Sequence, residues 1–355
     1  MRTREQSLQK EGIVRFGAQS SGLKPVVALV GPTAVGKSAV GLRLAQALGT
    51  DVLAADSRQV YRGMDIGTDK PTPEDRRTVS HRLIDLVDPD QPFNVGFYRQ
   101  HAAGEIARLH QAGKVPLVVG GTGLYIRGLL RGLCDGPPAD WTMRARLEAE
   151  GLSRGTEFLY RKLAVVDPPS ARRLHPNDHV KIIRALEVYE RTGRALSDIH
   201  GAHRFAESPY TALIVGLVRE RSELYRRIEE RVESMLARGL QEETQRLLDR
   251  GYTPHLSAMR SVGYKQMVGY LLGDYGYEEA VRLMKRDTRR FAKRQLTWFR
   301  SEPDIHWVTI ASQETMEQVA ARVFVLIQDF LARLAVNGGT ARSETGLTSV
   351  GAEMQ

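Results

Sequence analysis

The feature that most constrains this fold is an eight-residue run directly after the apolar segment Val26–Val30: Gly31-Pro32-Thr33-Ala34-Val35-Gly36-Lys37-Ser38. The run fits the pattern G-x-x-x-x-G-K-[ST] at every required position. A β-branched apolar segment is typical of a strand buried on both faces of a parallel sheet, and a helical pattern begins near Lys37. In that setting the backbone N–H groups point into one concavity, where Lys37 adds positive charge and Ser38 can hold Mg²⁺. The sequence therefore predicts a P-loop that holds a phosphate chain, without deciding which reaction follows.

Strands and helices alternate along the segments that flank the P-loop. A helix is predicted from Phe97 to Ala112. Further strands are predicted at Asp51–Asp56, Arg82–Val87, Val115–Val119 and Thr211–Leu217. The strand pattern is weakest at Arg82–Val87. This alternation predicts an α/β fold, a P-loop NTPase-like parallel sheet.

The pattern changes after Gly136-Pro137-Pro138, because apolar residues from Trp141 to about Gly201 follow helical spacing only. Long helices are predicted again from Ser222 to Arg300. A length of 355 residues suggests about two domains. We therefore expect a core of residues 25–135 and 205–334, an inserted all-helical domain at 136–204, and C-terminal helices. Polar residues 1–24 and 335–355 are predicted to be a disordered extension and a disordered tail.

The charge of the chain indicates a class of partner, and its cysteine content indicates a cellular compartment. The net charge of +9 and the pI of about 9.7 favour a polyanionic partner such as nucleic acid, although solubility alone would also explain them. The segment Arg260–Arg300 carries ten Lys/Arg against four Asp/Glu. The single cysteine, Cys134, cannot form an internal disulfide, which fits a reducing cytoplasm. No run of about 20 apolar residues suggests a membrane span, and the N-terminus lacks a signal-peptide pattern.

A carboxylate follows the second predicted strand in the run Asp56-Ser57-Arg58-Gln59-Val60-Tyr61. Since the carboxyl ends of parallel strands share one edge of a sheet, Asp56 is expected near the open face of the P-loop. It can accept a proton there or contact Mg²⁺ through water, or it can simply cap a turn. Gly120–Tyr125 follows another core strand at this edge, where it permits close approach of a large ligand or forms an ordinary strand–helix turn.

The ordered series of motifs closely resembles the bacterial tRNA dimethylallyltransferases, from about Val26 to Val308. Besides the P-loop and the runs beginning at Asp56 and Gly120, the series comprises Gly63–Pro71, His81–Asp85, His175–Asp178, Arg184–Val188, Val262–Gln266 and Lys293–Arg300. Lys265 stands where the family usually has Arg, which puts a bidentate phosphate contact at that position in doubt.

This resemblance implies transfer of a dimethylallyl group from dimethylallyl diphosphate to N6 of a tRNA adenine, with release of diphosphate. The adenine lies next to the anticodon on its 3′ side, and the product is N6-isopentenyladenosine. The family uses Mg²⁺, and the inserted helical domain grips the anticodon stem-loop. We expect a cytoplasmic monomer without membrane contact.

Residue roles follow from the resemblance and from the chemistry. Asp56 is expected to act as the general base, Thr33 to hold the donor's bridging oxygen, and Lys37 and Arg260 to stabilise the departing diphosphate, helped by Lys265. Ser38 is the expected Mg²⁺ ligand. The expected tRNA contacts are Asp56, Ser57, Arg58, Gln59, Thr122, Arg144, Val180, Lys181, Ile182, Ile183, Arg184, Arg260, Ser261, Val262, Gly263, Tyr264 and Lys265.

Some of these basic residues have a plainer interpretation. Lys181 and Arg184 can form a solvated helix face. Arg289–Arg300 can follow RNA phosphates or solubilise a helix, whose core face is predicted to be Val281, Met284, Phe291 and Trp298.

Three other functions fit parts of the sequence. A small-molecule or nucleoside kinase would use the P-loop for ATP and Asp56 as base for a hydroxyl. A prenyltransferase for free adenosine nucleotides would not need the basic segment. A non-catalytic RNA-binding protein would not need Lys37, Ser38 and Asp56 together. The positive charge, the helical insertion and the later motifs favour the tRNA enzyme.

Overall fold

A computed structural model of the chain describes residues 24–132, 136–203 and 209–343. Six parallel strands form one sheet in the order β3-β2-β4-β1-β5-β6. The strands are β1 (Pro25–Val30), β2 (Val52–Ala55), β3 (His81–Arg82), β4 (Leu117–Gly120), β5 (Thr211–Arg219) and β6 (Ile305–Ile310). The all-parallel sheet confirms the α/β prediction, and complete burial of β1 explains its uninterrupted apolar sequence.

Fourteen helices accompany the strands in the described residues. They are α1 (Lys37–Leu48), α2 (Pro73–Thr78), α3 (Val95–Gln111), α4 (Gly123–Arg131), α5 (Trp141–Arg154), α6 (Thr156–Val166), α7 (Pro168–Arg173), α8 (His179–Thr192), α9 (Leu196–His203), α10 (Arg221–Ala237), α11 (Leu240–Asp249), α12 (Tyr264–Leu271), α13 (Tyr277–Arg300) and α14 (Met316–Ser343). Helices α1 and α14 pack on one face of the sheet, and α3 and α4 pack on the other.

The predicted strand Arg82–Val87 is largely wrong. Only His81–Arg82 pairs as β3, because Leu83 and Asp85 adopt positive φ angles of 67° and 56° that an extended strand excludes. The chain regains one parallel bridge at Val87, opposite Tyr61. Strand β6 and the helix that follows it are absent from the sequence prediction.

The chain divides into two compact units, and the smaller one comprises Arg131–Ser208. Its described residues form helices α5–α9 around an apolar core, with Leu147, Leu159, Leu163 and Ile182 almost fully buried. This core draws its buried residues from α5, α6, α7 and α8.

The ends of the chain differ in how much is described. Helix α14 continues through Ser343, whereas the sequence predicts a disordered tail from residue 335. Residues 1–23 of the predicted extension, residues 344–355 of the tail, and Cys134 lie outside the described residues. Within the described ranges, no helix is both long and apolar enough to cross a membrane.

Candidate active site

The P-loop connects the end of β1 to the start of α1, as its sequence predicts. Gly31 and Gly36 have φ angles of 148° and 114°, which residues with a Cβ rarely adopt. A Cβ on Gly31 would also lie 2.7 Å from the carbonyl oxygen of Leu217. Ala34 adopts a φ of 63° without being glycine. Such backbone is costly and needs support from its surroundings.

A cleft of 640 Å³ opens at the carboxyl ends of the strands, beside the P-loop. It brings together residues that are far apart in sequence. The predicted site residues that line it are Thr33, Lys37, Ser38, Asp56, Arg58, Gln59, Arg260, Ser261 and Val262. Open α/β sheets bind ligands at this edge, so the placement fits a site for a phosphorylated substrate.

Lys37 points back onto its own loop. Its ammonium donates a hydrogen bond to the carbonyl oxygen of Pro32 at 2.7 Å. Burial and the nearby Arg231 guanidinium lower the pKa of Lys37 from 10.5 to about 7, against the opposing effect of Asp56. An anionic ligand in the cleft would favour the charged ammonium, so the site is built to gain positive charge as it binds phosphate.

Asp56 lies at the end of β2, across the cleft from the P-loop. One carboxylate oxygen accepts the backbone N–H of Arg58 at 2.8 Å, which orients the side chain. The hydroxyl of Thr122 accepts the N–H of Ser57 at 3.0 Å, so the turn after β4 supports the turn after β2. Asp56 therefore both caps its turn and lines the cleft, which leaves its other oxygen for a reacting group.

Two predicted RNA-contacting side chains after Asp56 also brace neighbouring loops. Gln59 donates to the carbonyl oxygens of Thr68 and Asp69 at 3.2 and 3.1 Å. Arg58 donates to the carbonyl oxygen of Ser257 at 2.8 Å. These bonds join the rim of the cleft to the segments that surround it.

Glu243, which the sequence did not single out, organises one of those segments. Its buried carboxylate accepts the backbone N–H groups of Asp65, Ile66 and Gly67 at 2.9–3.2 Å. It also accepts the Tyr264 hydroxyl at 2.5 Å. The side chain of Tyr264 is fully buried. The Tyr264 side chain therefore supports the loop at residues 65–67, while the tRNA contact of this residue stays a prediction.

The neighbours of Tyr264 differ in exposure. Arg260 and Lys265 are exposed, whereas Ser261 and Gly263 are buried. Gly263 adopts a φ of 101° at the start of α12, so it shapes the backbone there. Of the predicted run 260–265, only Arg260 and Lys265 therefore present a free charged side chain at the surface, and Arg260 lines the cleft.

The other predicted RNA contacts lie in the smaller unit. The side chains of Ile182 and Ile183 belong to its apolar core, and the RNA contact of these two residues stays a prediction. Val180 is 79% exposed, and the Lys181 side chain is 67% exposed with an ion pair to Asp178 at 2.5 Å.

Arg144 and Arg184 meet at one buried carboxylate, that of Glu187. Arg144 donates to both Glu187 oxygens at 3.0 and 2.9 Å, and Arg184 donates at 2.5 Å. Burial raises the pKa of Glu187, but hydrogen bonds from Arg144, Arg184 and the Asp140 N–H lower it further, to below its ordinary value. The two arginines are thus held rigidly and keep one net positive charge between them.

The basic helix α13 is partly neutralised. Lys285 pairs with Glu233, and Arg289 pairs with Glu229, at 2.8 and 2.7 Å. Its buried face includes Met284, as predicted, but Phe291 is exposed beside the cleft. The predicted core face is therefore wrong at Phe291, whereas Ala292 and Gln295 are buried on this helix.

The sequence analysis also missed Arg231 and Gln295, which line the cleft from α10 and α13. Arg231 forms an ion pair with Asp69 at 3.1 Å. Gln295 links two loops of the site. It lies in the motif Lys293–Arg300, which identifies the segment without indicating this role, whereas none of the motifs includes Arg231.

Comparison with known proteins agrees with this geometry. A family model described as IPP transferase matches residues 59–302, and one described as isopentenyl transferase matches residues 24–87. The tRNA dimethylallyltransferase of Geobacter sulfurreducens is 50% identical over 310 residues, 87% of this chain and 100% of that protein. That of Syntrophobacter fumaroxidans is 52% identical over 287 residues, 81% of this chain and 84% of its own.

Solved structures similar to this chain are also transferases of this kind. A tRNA isopentenylpyrophosphate transferase from Bacillus halodurans is 38% identical, with a TM-score of 0.64 over 90% of this chain and 99% of its own. A eukaryotic dimethylallyltransferase, solved acting on tRNA, is 27% identical, with a TM-score of 0.76 over 87% of this chain and 80% of its own. By family model, by sequence and by fold, this chain belongs to the tRNA dimethylallyltransferase family.

Proposed function

We propose that the cleft transfers a dimethylallyl group from dimethylallyl diphosphate to N6 of the tRNA adenine next to the anticodon on its 3′ side. The observation that carries this proposal is the placement of Asp56 and Lys37 in one cleft at the P-loop. A phosphate cradle beside a carboxylate suits a reaction in which a diphosphate leaves and a proton is removed. The transferase activity itself is that of the family.

The donor half of the reaction needs stabilisation of negative charge. The allylic C–O bond breaks and leaves its electron pair on the diphosphate. P-loop N–H groups, Lys37 and Arg260 would hold that diphosphate, with Thr33 at the bridging oxygen. Arg231, which lines the same cleft, adds a further positive charge that the sequence did not indicate. Fixed positive groups at a developing anion are typically worth about 3 kcal/mol each.

The acceptor half needs removal of a proton. The adenine N6 lone pair is delocalised into the ring, so nitrogen attack on the allylic carbon is assisted when its proton departs. As the N–C bond forms, Asp56 would take that proton on the oxygen that does not accept the Arg58 N–H. General base assistance of this kind contributes about 10²–10⁴-fold.

The residues present also fit Mg²⁺. This ion keeps several waters and takes only one or two protein ligands beside substrate phosphates, and the exposed Ser38 hydroxyl and Asp56 line the same cleft. The described residues contain no group of three His, Cys, Asp or Glu that would form an all-protein metal site. We therefore propose Ser38 as the direct ligand. The ion would supply charge neutralisation on the diphosphate.

The smaller unit is the proposed grip on the anticodon stem-loop. Its exposed Lys181 and the paired Arg144 and Arg184 offer positive charge to phosphates. Adenine in a single-stranded loop can leave its stack and enter a pocket for modification. We further propose that the protein is monomeric and acts in the cytoplasm. Light scattering of the purified chain tests the first point.

Labelled dimethylallyl diphosphate, Mg²⁺ and unmodified tRNA with adenine 3′ of the anticodon test the reaction. Label should enter tRNA, and nucleoside mass spectrometry should identify N6-isopentenyladenosine. Label in free AMP but not in tRNA would point to a nucleotide prenyltransferase. Consumption of ATP with a hydroxyl acceptor, without prenyl transfer, would point to a kinase.

A further inference from the structure

Two arginines outside the cleft bind the carbonyl groups of the P-loop. Arg227 Nε donates to the carbonyl oxygen of Ala34 at 3.0 Å, across 193 residues of sequence. Arg219 Nε donates to the carbonyl oxygen of Val35, also at 3.0 Å. These are adjacent carbonyls at the centre of the loop.

The two arginines differ in burial and lie on consecutive elements of the fold. Arg219 is the last residue of β5 and only 6% exposed, whereas Arg227 lies half-buried on α10, two turns after the helix begins. Neither is among the residues that line the cleft. The Ala34 and Val35 carbonyls therefore face away from the cleft, toward the arginines.

This orientation matters because carbonyl oxygens and phosphates repel each other. A loop binds an anion when its N–H groups converge on the ligand and its carbonyls point elsewhere. Ala34 adopts a φ of 63°, which turns the chain in this way but is unfavourable for alanine. A charged donor on the outward carbonyl stabilises that conformation before any ligand arrives.

We propose that Arg227 and Arg219 are positioning residues that keep the P-loop ready for the donor diphosphate. They act through the loop backbone and do not touch the donor. The proposal rests on the proposed function only for the identity of the donor, because any diphosphate would use the same N–H groups. The site consequently depends on β5 and α10 as well as on its own glycines.

The test compares two neighbouring arginines on α10. Arg227→Met removes the bond to Ala34, whereas Arg226→Met removes the same charge from an exposed side chain paired with Glu223 and Glu230. We expect Arg227→Met to raise the KM for dimethylallyl diphosphate about tenfold, the usual effect of losing a hydrogen bond to a charged group. The KM for tRNA should stay within about twofold of the unmodified protein. Arg227→Lys, which keeps charge and one donor, should recover part of the loss.

Calorimetric binding of inorganic pyrophosphate with Mg²⁺ separates this proposal from the proposed function. Pyrophosphate needs no acceptor, so weaker binding by Arg227→Met than by Arg226→Met supports the positioning role even if tRNA is never prenylated. Equal binding by the two variants would overturn it. An equal rise in the KM values for donor and tRNA would also overturn it, since a role at the P-loop alone predicts an effect specific to the donor.

Arg219→Lys gives a second, milder test at the buried position. It retains the positive charge next to Glu223, at 3.9 Å from Arg219 in the native chain, but loses the guanidinium geometry. Pyrophosphate affinity should fall several-fold while the melting temperature changes little. Unchanged affinity in a folded protein would remove Arg219 from the proposal.

Discussion

Gln295 accepts a hydrogen bond from the backbone N–H of Thr33 at 2.9 Å, although the two residues are 262 positions apart. The same side chain donates to the carbonyl oxygen of Gly121 at 2.9 Å. One amide on α13 therefore ties the P-loop to the turn after β4. This residue therefore links two of the segments that line the cleft.

Gln295→Leu should lower both stability and donor affinity. The substitution leaves the Thr33 N–H and the Gly121 C=O without a hydrogen-bond partner. The position is buried, since Gln295 is only 8% exposed. We expect the free energy of unfolding to fall by about 2 kcal/mol, measured by urea denaturation. Gln245→Leu is the control, since Gln245 is exposed and bonds only Asp249 on its own helix in the described structure. Equal stability of the two variants would contradict the bridging role.

Donor affinity should depend on pH through Lys37. Because its pKa is lowered to about 7 in the ligand-free protein, the ammonium is charged below that pH and largely neutral above it. A bound diphosphate favours the charged form, so above pH 7 binding must take up a proton. The Kd for the donor should therefore rise, by up to about tenfold per pH unit, between about pH 7.5 and pH 9.

Lys37→Arg is the matched control for this dependence, since arginine stays charged throughout the range. Its donor affinity should be flat over the same pH interval. A flat profile for the unmodified protein as well would show that Lys37 does not titrate at the site.

The smaller unit should lose stability in acid as Glu187 becomes protonated. Its lowered pKa means that its contribution is present above its ordinary value of 4.5 and is lost as the pH falls through the folded-state pKa. Glu187→Gln leaves Arg144 and Arg184 without their buried partner, so unfolding of this unit should cost about 3 kcal/mol less at neutral pH. Glu157→Gln in the same unit should have a small effect, because the Glu157 side chain is 71% exposed and pairs with the exposed Arg161 on its own helix. Similar losses in the two variants would contradict the assigned pairing.

Lys181 should contribute to tRNA affinity through phosphate contact. Lys181→Ala should weaken binding and reduce the slope of log Kd against log salt by about one ion. Lys181→Arg, which keeps the charge, should retain the slope. An unchanged slope in Lys181→Ala would assign this side chain to a solvated helix face.

Local patterns in the sequence predicted the sheet core and the P-loop well. The buried strand before Gly31, the glycines of the loop and the carboxylate at Asp56 are all encoded within a few residues. By contrast, β3 stops after Arg82 because Leu83 and Asp85 adopt left-handed backbone, which no strong local signal announces. Turn geometry of this kind depends on contacts made elsewhere in the fold.

The residues that hold the loops of the site in place were not predictable for a related reason. Gln295, Arg227 and Glu243 each bond a loop that lies 174 or more positions away in sequence. A composition or spacing pattern cannot register such pairs. A motif also identifies a segment without stating which of its side chains face inward, so the burial of Ile182 and Tyr264 was not predicted.

The most direct measurement of the central claim is prenyl transfer by Asp56→Asn compared with its binding of tRNA. Asparagine keeps the size and the capping oxygen of Asp56 but cannot accept a proton. The rate of transfer at saturating substrates should fall by about 10²–10⁴-fold. Affinity for tRNA and for dimethylallyl diphosphate should remain within a few-fold of the unmodified protein. Transfer at an unchanged rate would contradict the assignment of Asp56 as the base that completes the reaction at the P-loop.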